Sequence, residues 1–326
     1  ISGSFHQYNN PYTAGIYALS HSGQPVSLTI KLIGENTITG FFGIFLDAEI
    51  NASSYGTNAT LTITGESNGS LKVSGSYHGV FVISGTGNAS LTIEDASVVA
   101  SSSSSYDGYA GVCVQSSVSA TNSPLLSLAV NGGSLTASGG TSGDGIQFYV
   151  GSSEATGATT SLTVSDNAIV RANGGIKAGR VDEPTPSGTG IVFDGTEGTV
   201  YGDVTLDESL TINQGETLTI PEGSTLNTNN NLTNNGTIVN TGGTLNGEPG
   251  GIIVTAPAIT TESLPEGTVN QLYSATLEVT GNNLTWSLDS GTLPDGLTPD
   301  STGQITRTPT PAGSSASPLT PAPAAR

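Results

Sequence analysis

The 326-residue sequence predicts an all-β chain: a parallel β-helix followed by a small β-sandwich. Three observations carry this. Apolar residues, 34 % of the chain, fall in short β-branched runs bounded by Gly, Asn and Ser rather than at helical spacing. A tetrapeptide of the form Ser/Thr-Leu-x-Ile/Val returns five times in the first half. The text then changes at about residue 251 to Pro- and Asp-rich turns around a single Trp.

The repeat comes first along the chain. Its leucines are Leu28, Leu61, Leu91, Leu128 and Leu162, at steps of 33, 30, 37 and 34. Between the apolar positions the outward residue is Thr29, Thr62, Thr92, Ala129 and Thr163, a β-branched column suited to a strand surface. Seven or ten residues after each leucine lies a second strand-like piece, centred on Ile38, Leu71, Val98, Leu135 and Ile169. A third piece opens with Gly and an aliphatic residue, from Gly15-Ile16 through Gly175-Ile176. A unit of three short strands cannot bury its own apolar face, and stacking copies solves that. The spacing therefore predicts a β-helix of 30–37-residue coils over 1–198, with loops absorbing the unequal lengths. In its repeat style this region resembles the right-handed β-helices of bacterial surface proteins and of polysaccharide-acting enzymes. It also resembles the "carbohydrate-binding" β-helix proteins of gut bacteria, without a diagnostic motif.

Alternation within the third strand supplies the candidate site. Strand side chains point alternately to opposite faces. If the aliphatic residue after Gly points inward, the inward pairs run from Ile16/Ala18 to Ile176/Ala178 and all are apolar. The outward column then reads Tyr17, Phe45, Phe81, Cys113, Gln147 and Lys177. Three of the seven Phe residues lie in "FFGIF" (41–45), so Ile44 plugs the core while Phe45 joins an exposed aromatic strip with Tyr17 and Phe81. Tyr77, His78, Tyr106 and Tyr109 lie in turns just before this face, and Phe41 and Phe42 hold the same place one coil earlier. A contiguous exposed apolar patch marks an interaction site, so Tyr17, Phe45, Phe81, Tyr77, His78, Tyr106 and Tyr109 are the candidate ligand-binding set. A ladder that merely stabilises the coil is the competing reading.

From residue 199 to 250 the pattern tightens. Leu226, Leu232, Ile238 and Leu245 follow at steps of 6, 6 and 7 with Asn and Gly between them, predicting a narrower solenoid that continues or caps the first, with Asn ladders at its corners. Over 251–313 short strands alternate with Pro/Gly/Asp turns, and Trp286 sits in "LTWSL", as a sandwich core would have it. This stretch closely resembles the Ig-like repeats of bacterial surface proteins through "LPEGTVNQLYSATL", "LTWSL", "GTLPDGLTPDSTGQI" and "TPTPAG". The resemblance implies a non-catalytic spacer or adhesive domain. The chain departs from that pattern after Gly313, where "SSASPLTPAPAAR" replaces the last strand and 314–326 reads as a low-complexity tail, leaving the Ig-like module incomplete.

Composition narrows the function classes. Seven Lys and Arg against 26 acids give a net charge of −19, which excludes phosphate-backbone binding and disfavours anionic membranes. No apolar run of about 18 residues is present to insert in a membrane. The chain starts at Ile1 and has no Met, and so reads as a processed product. The single Cys113 reads as a buried, inert thiol. No paired-Asp or Gly-His-Gly motif of a polygalacturonase occurs, and the one cationic cluster, "RANGGIKAGR", reads as a solvated end or, less simply, a site for an acidic sugar. His6, His21 and His78 lack metal-ligand spacing. Calcium on the acidic loops (Glu94, Asp95, Asp107, Asp144, Glu154) has no motif behind it, so no cofactor is expected. The expectation is a monomeric, extracellular or cell-wall-attached bacterial adhesin-like protein binding a polysaccharide or host surface protein, without catalysis. A divergent polysaccharide lyase or hydrolase and a passive stalk are the alternatives.

Overall fold

The computed structural model describes residues 14–20, 24–48, 57–106, 108–117, 123–151 and 157–255, and, further on, 258–259, 261, 263–280, 284–288, 300, 302–308 and 319–323. These residues form no α-helix; the chain is all-β with mostly parallel sheets. Short and long strands alternate through the first half. They are β1 (Ile16–Leu19), β2 (Val26–Gly40), β3 (Ile44–Asp47), β4 (Ala59–Gly75), β5 (Val80–Ser84) and β6 (Ala89–Ser102). Then come β7 (Val112–Ser116), β8 (Leu125–Ser138), β9 (Ile146–Val150), β10 (Thr159–Asn173) and β11 (Ile176–Gly179). The short strands form one six-stranded sheet in the order β1-β3-β5-β7-β9-β11. The long ones begin a ten-stranded sheet in the order β2-β4-β6-β8-β10.

The pairing register keeps the leucines in one column. Leu28, Leu61, Leu91, Leu128 and Leu162 are successive partners, and the Thr29, Thr62, Thr92, Ala129, Thr163 column runs beside them. Repeats of unequal length thus stay in register, because the differences fall outside the paired segments. One expectation is corrected here: each repeat has two strands, not three. The first two pieces are one long strand bent at a corner. In β6 the buried residues are Ala89, Leu91 and Ile93, then Ala96, Val98 and Ala100, so the buried parity changes at Asp95. Asp95 has φ +48, and the matching bends hold Gly34 at +63, Gly132 and Gly133 at +72 and +66, and Asp166 and Asn167 at +54 and +62. A left-handed residue turns the strand through the corner, and Gly, Asp and Asn are the residues that tolerate it. The second column is accordingly Asn36, Leu71, Val98, Leu135 and Val170, which displaces Ile38 and Ile169 from the expected centres.

The first core lies between the two sheets and contains Leu61, Ile63, Val73, Ile44, Leu46 and their equivalents, nearly all without solvent exposure. Burying one such side chain stabilises the fold by about 1.5–3 kcal/mol.

The second half is joined differently from the expectation. β12 (Ser187–Asp194) continues the large sheet in parallel with β10, then turns back as an antiparallel hairpin into β13 (Glu197–Tyr201). The expected boundary at 198/199 falls inside β13. Four consecutive residues of β12, Gly190 to Phe193, are buried. Val192 pairs with Val170 and belongs to the first core, whereas Ile191 and Phe193 belong to a second core. Neighbouring residues of a strand face opposite ways, so the second core sits on the opposite face of the shared sheet. The narrow region therefore does not prolong the first interior.

Beyond the hairpin come β14 (Asp203–Thr205), β15 (Leu210–Ile212), β16 (Thr217–Pro221), β17 (Thr225–Asn227), β18 (Leu232–Asn234), β19 (Thr237–Thr241), β20 (Thr244–Asn246) and β21 (Ile252–Thr255). Strands β13, β16, β19 and β21 extend the large sheet, β14-β17-β20 form a second and β15-β18 a third. The steps of six and seven residues are successive strands of these three sheets, with Leu226 on β17, Leu232 on β18, Ile238 on β19 and Leu245 on β20. An amide ladder runs along one of them: Asn246 Nδ2 donates to Asn227 Oδ1 at 2.6 Å and Asn227 Nδ2 to Thr205 Oγ1 at 3.2 Å.

In the C-terminal part, Tyr273–Thr276 pairs antiparallel with Gln304–Arg307, and Leu284–Leu288 with Leu319–Pro323. The tail thus supplies a paired strand where the sequence predicts only low complexity.

Candidate functional site

The outer face of the six-stranded sheet carries the candidate site. Tyr17 pairs with Phe45, Phe45 with Phe81, Phe81 with Cys113, Cys113 with Gln147 and Gln147 with Lys177, so the six residues form one column. The inward pairs on the same strands are buried or half-buried in the first core. The phase read from the sequence therefore matches the structure.

Exposure departs from the expectation. Phe45 and Tyr17 are half-buried, Phe81 is 9 % exposed and Cys113 fully buried. Phe81, Ile83, Ala110 and Cys113 form a small apolar cluster of their own, with Phe42 and Phe45 packed on it. The rings of the expected strip do not lie flat in one plane. Tyr17 and Phe45 have centroids 5.1 Å apart at an interplanar angle of 24°, Phe45 and Phe81 5.0 Å at 15°. Near-parallel rings this close overlap face to face, the offset-stacked arrangement. Phe45 thus has one ring neighbour on each side along the stack, and the ladder turns ring edges outward. Strand spacing of about 4.8 Å imposes this, because it is too small for two rings to lie side by side in one plane.

A second group borders the ladder. The Tyr77 N–H donates to the Phe41 carbonyl at 2.9 Å, so these corner residues are stacked one repeat apart. The Phe41 and Tyr77 ring centroids are 4.1 Å apart, as are those of Tyr77 and Tyr109, tilted by 37° and 57°. All three rings are half-buried. His78 joins the two groups, 4.8 Å from Phe81 and 5.4 Å from Tyr109. Tyr106 is 75 % exposed and shows no ring contact with the others, so the structure does not bring it into the cluster.

Two groups inside the cluster are chemically defined. His78 is buried, and the Ala110 N–H donates to its Nδ1 at 3.0 Å, with the Ala110 carbonyl 3.3 Å from the same atom. Burial lowers its pKa from 6.5 to about 4, and the nearby Ala110 carbonyl offsets this only in part. Cys113 is held as a thiol: burial pushes its pKa up and the Asp144 carboxylate adds to that, so the inert reading stands. At the edge of the site Tyr17 Oη donates to Asp47 Oδ2 at 3.3 Å.

The cationic cluster lies elsewhere and is engaged. Arg171 Nη1 meets Glu216 Oε1 at 2.7 Å, its guanidinium lies 3.9 Å over the Phe193 ring, and Nη2 donates to the Thr211 carbonyl. Glu216 also accepts the Asn213 N–H at 2.8 Å. Burial alone would raise the Glu216 pKa, yet these donors hold it below the usual range. Lys177 lies 3.8 Å from Glu183, and Arg180 donates to the Gly151 carbonyl. Of the "RANGGIKAGR" cations, Arg171 is therefore a part-buried brace beside the second core, while Lys177 and Arg180 stay exposed, as the solvated-end reading expects. The sequence missed this role because Glu216 lies 45 residues away. Among the described residues no group of three or more His, Cys, Asp or Glu is placed to hold a metal. Of the acidic loop residues weighed for calcium, Asp107 and Glu154 lie outside the described residues, as do His6 and His21. No helix among the described residues is long and apolar enough to cross a membrane.

No protein-family model, curated protein or solved structure matches the chain. The resemblance to bacterial adhesin-like proteins and to their Ig-like repeats is thereby overturned: no relative supports that identity, and what stands is an all-β chain of mostly parallel strands.

Proposed function

We propose that this chain is a non-catalytic glycan-binding protein acting outside the cell, its repeats coiled as a right-handed parallel β-helix and its ligand held at the aromatic corner group. One observation carries the reading: seven aromatic rings and His78 converge on one outer face, and six of those rings keep solvent exposure although the core needs none of them. Half-exposed rings in a continuous group are what sugar C–H faces stack on, and what a purely solvated sheet face would not retain. Tyr77, Phe41 and Tyr109 are the contact residues, with Tyr17 and Phe45 beside them. His78 and Phe81 support them from below.

A passive stalk is the second reading, and the stacked ladder favours it, since Phe45 and Phe81 pack chiefly on other rings. The lyase or hydrolase reading needs a cation or carboxylate pair in a cleft; Arg171 is instead tied to Glu216, and Lys177 faces Glu183 on the exposed surface. A glycan array probed with the purified chain, alongside a Tyr77→Ala variant, separates these readings. Selective retention of intact glycan, lost in the variant, supports binding. No retention on any glycan favours the stalk, and released product indicates an enzyme.

A further inference from the structure

We infer that this chain self-associates through the outer edge of β21, two copies pairing these strands antiparallel about a two-fold axis, in place of the monomer expected from the sequence. The inference is independent of the ligand reading. β21 ends the ten-stranded sheet: it pairs in parallel with β19, from Thr237↔Ile252 to Asn240↔Thr255, and with no other strand among the described residues. A last strand presents a row of backbone N–H and C=O groups on which a further strand can add, and edges that stay single are blunted by Lys, Pro or a bulge. Ile252, Ile253, Val254 and Thr255 include no charge and no Pro, and their register with β19 is unbroken.

Side-chain character changes towards this edge. One outward column runs Glu197, Thr217, Thr237, Ile252, and the next runs Thr199, Thr219, Val239, Val254. Both begin charged or hydroxyl-bearing at β13 and end aliphatic at β21. Ile252 is 52 % exposed and Val254 36 %, whereas Ile253 between them turns back onto the second core. A solvated edge gains nothing from such a gradient, but a covered one does, because its aliphatic side chains leave water on pairing. Charge selects the occupant. At −19, two copies repel each other over much of their surface. From residue 223 to 261 the single charged residue is Glu248, so this end lets two copies approach with little of that repulsion. The strand is also its own complement. Turned about a two-fold, its N–H and C=O row meets itself antiparallel, and the aliphatic residues of one copy meet those of the other.

The test is sedimentation velocity of the full chain over a wide range of concentration, at low and high salt. A dimer whose share rises with concentration is expected, and salt should strengthen it by screening the repulsion between two acidic chains. Val254→Lys, which sets a charge at the contact, should leave a monomer. Ile33→Lys, at another exposed aliphatic residue, should leave the dimer intact. Melting curves establish that each variant folds. Hydrogen exchange of the unaltered chain gives a second readout: the β21 amides that face away from β19 should exchange more slowly in concentrated than in dilute protein. A monomer at every concentration overturns the proposal. A dimer that Val254→Lys leaves intact, or open-ended growth beyond a dimer, overturns the two-fold pairing at β21 as well.

Discussion

His78 is the residue on which the outer cluster depends most directly. It is neutral in the fold because its ring is buried, against Phe81, and the Ala110 N–H donates to its Nδ1. Since its folded pKa lies near 4 and its unfolded one near 6.5, the unfolded chain takes up the proton first as pH falls. The sign follows: the His78 contribution is complete above about pH 6.5 and is lost as pH drops towards 4, by roughly 3 kcal/mol over the window. Urea unfolding at pH 7.0 and 4.5 should show this loss, and His78→Gln should flatten it. An equal slope in the variant would assign the effect to the acidic surface instead. Asp95 makes a second case. At φ +48 it occupies a conformation that costs an L-residue roughly 1 kcal/mol. Asp95→Gly is expected to be neutral or slightly stabilising, whereas Asp95→Val should lower the unfolding midpoint.

At the scale of the elements, β12 decides the most. It is buried on both faces, and its Phe193 ring covers Gly198 so closely that a Cβ there would sit 2.6 Å from it. Arg171 from β10 lies over the other side of that ring and is fixed by Glu216 beyond β15. Both charged side chains are only 12–15 % exposed, so removing one strands the other away from water. Arg171→Ala is expected to cost about 3–5 kcal/mol, as for other buried pairs broken from one side. The Arg171→Met/Glu216→Leu double variant should recover much of it, measured by denaturant midpoint. The pattern of long strands was legible in the sequence because alternation is local: Leu91, Ile93, Val98 and Ala100 announce their own phase. The hairpin at Gly195 and the change of face were not, because consecutive buried residues at 190–193 read alike whether one core or two receives them.

At the scale of the whole molecule, the two largest cores among the described residues, on opposite faces of one sheet and joined through β12, set the expected unfolding behaviour of residues 14–255. Leu128 lies at the centre of the first core and Ile238 in the second, both fully buried. Leu128→Ala and Ile238→Ala should each cost about 2–5 kcal/mol. If the cores are separate cooperative units, each variant shifts its own transition, and hydrogen exchange should show unequal protection on the two sides of β12. A single transition moved equally by both variants would mean that the shared sheet couples them into one unit.

The candidate site divides the same way. The sequence carried no distances, but it did determine which side chains leave the core, since the strand period of two obliges Tyr17, Phe45 and Phe81 to point one way and Ile44, Leu46 and Val80 the other. It also determined the stacking register, because leucines that recur beside Gly and Asn corners can be buried in only one alignment. Only the tertiary structure decided how the rings meet. A strand spacing shorter than a ring's width turns Phe45 and Phe81 face to face and removes the flat strip, while the corner residues Phe41, Tyr77 and Tyr109 collect beside them from three repeats. Likewise only the fold could bring Glu216 to Arg171 and make a brace of that one cation, for attraction between side chains 45 residues apart leaves no trace in local periodicity.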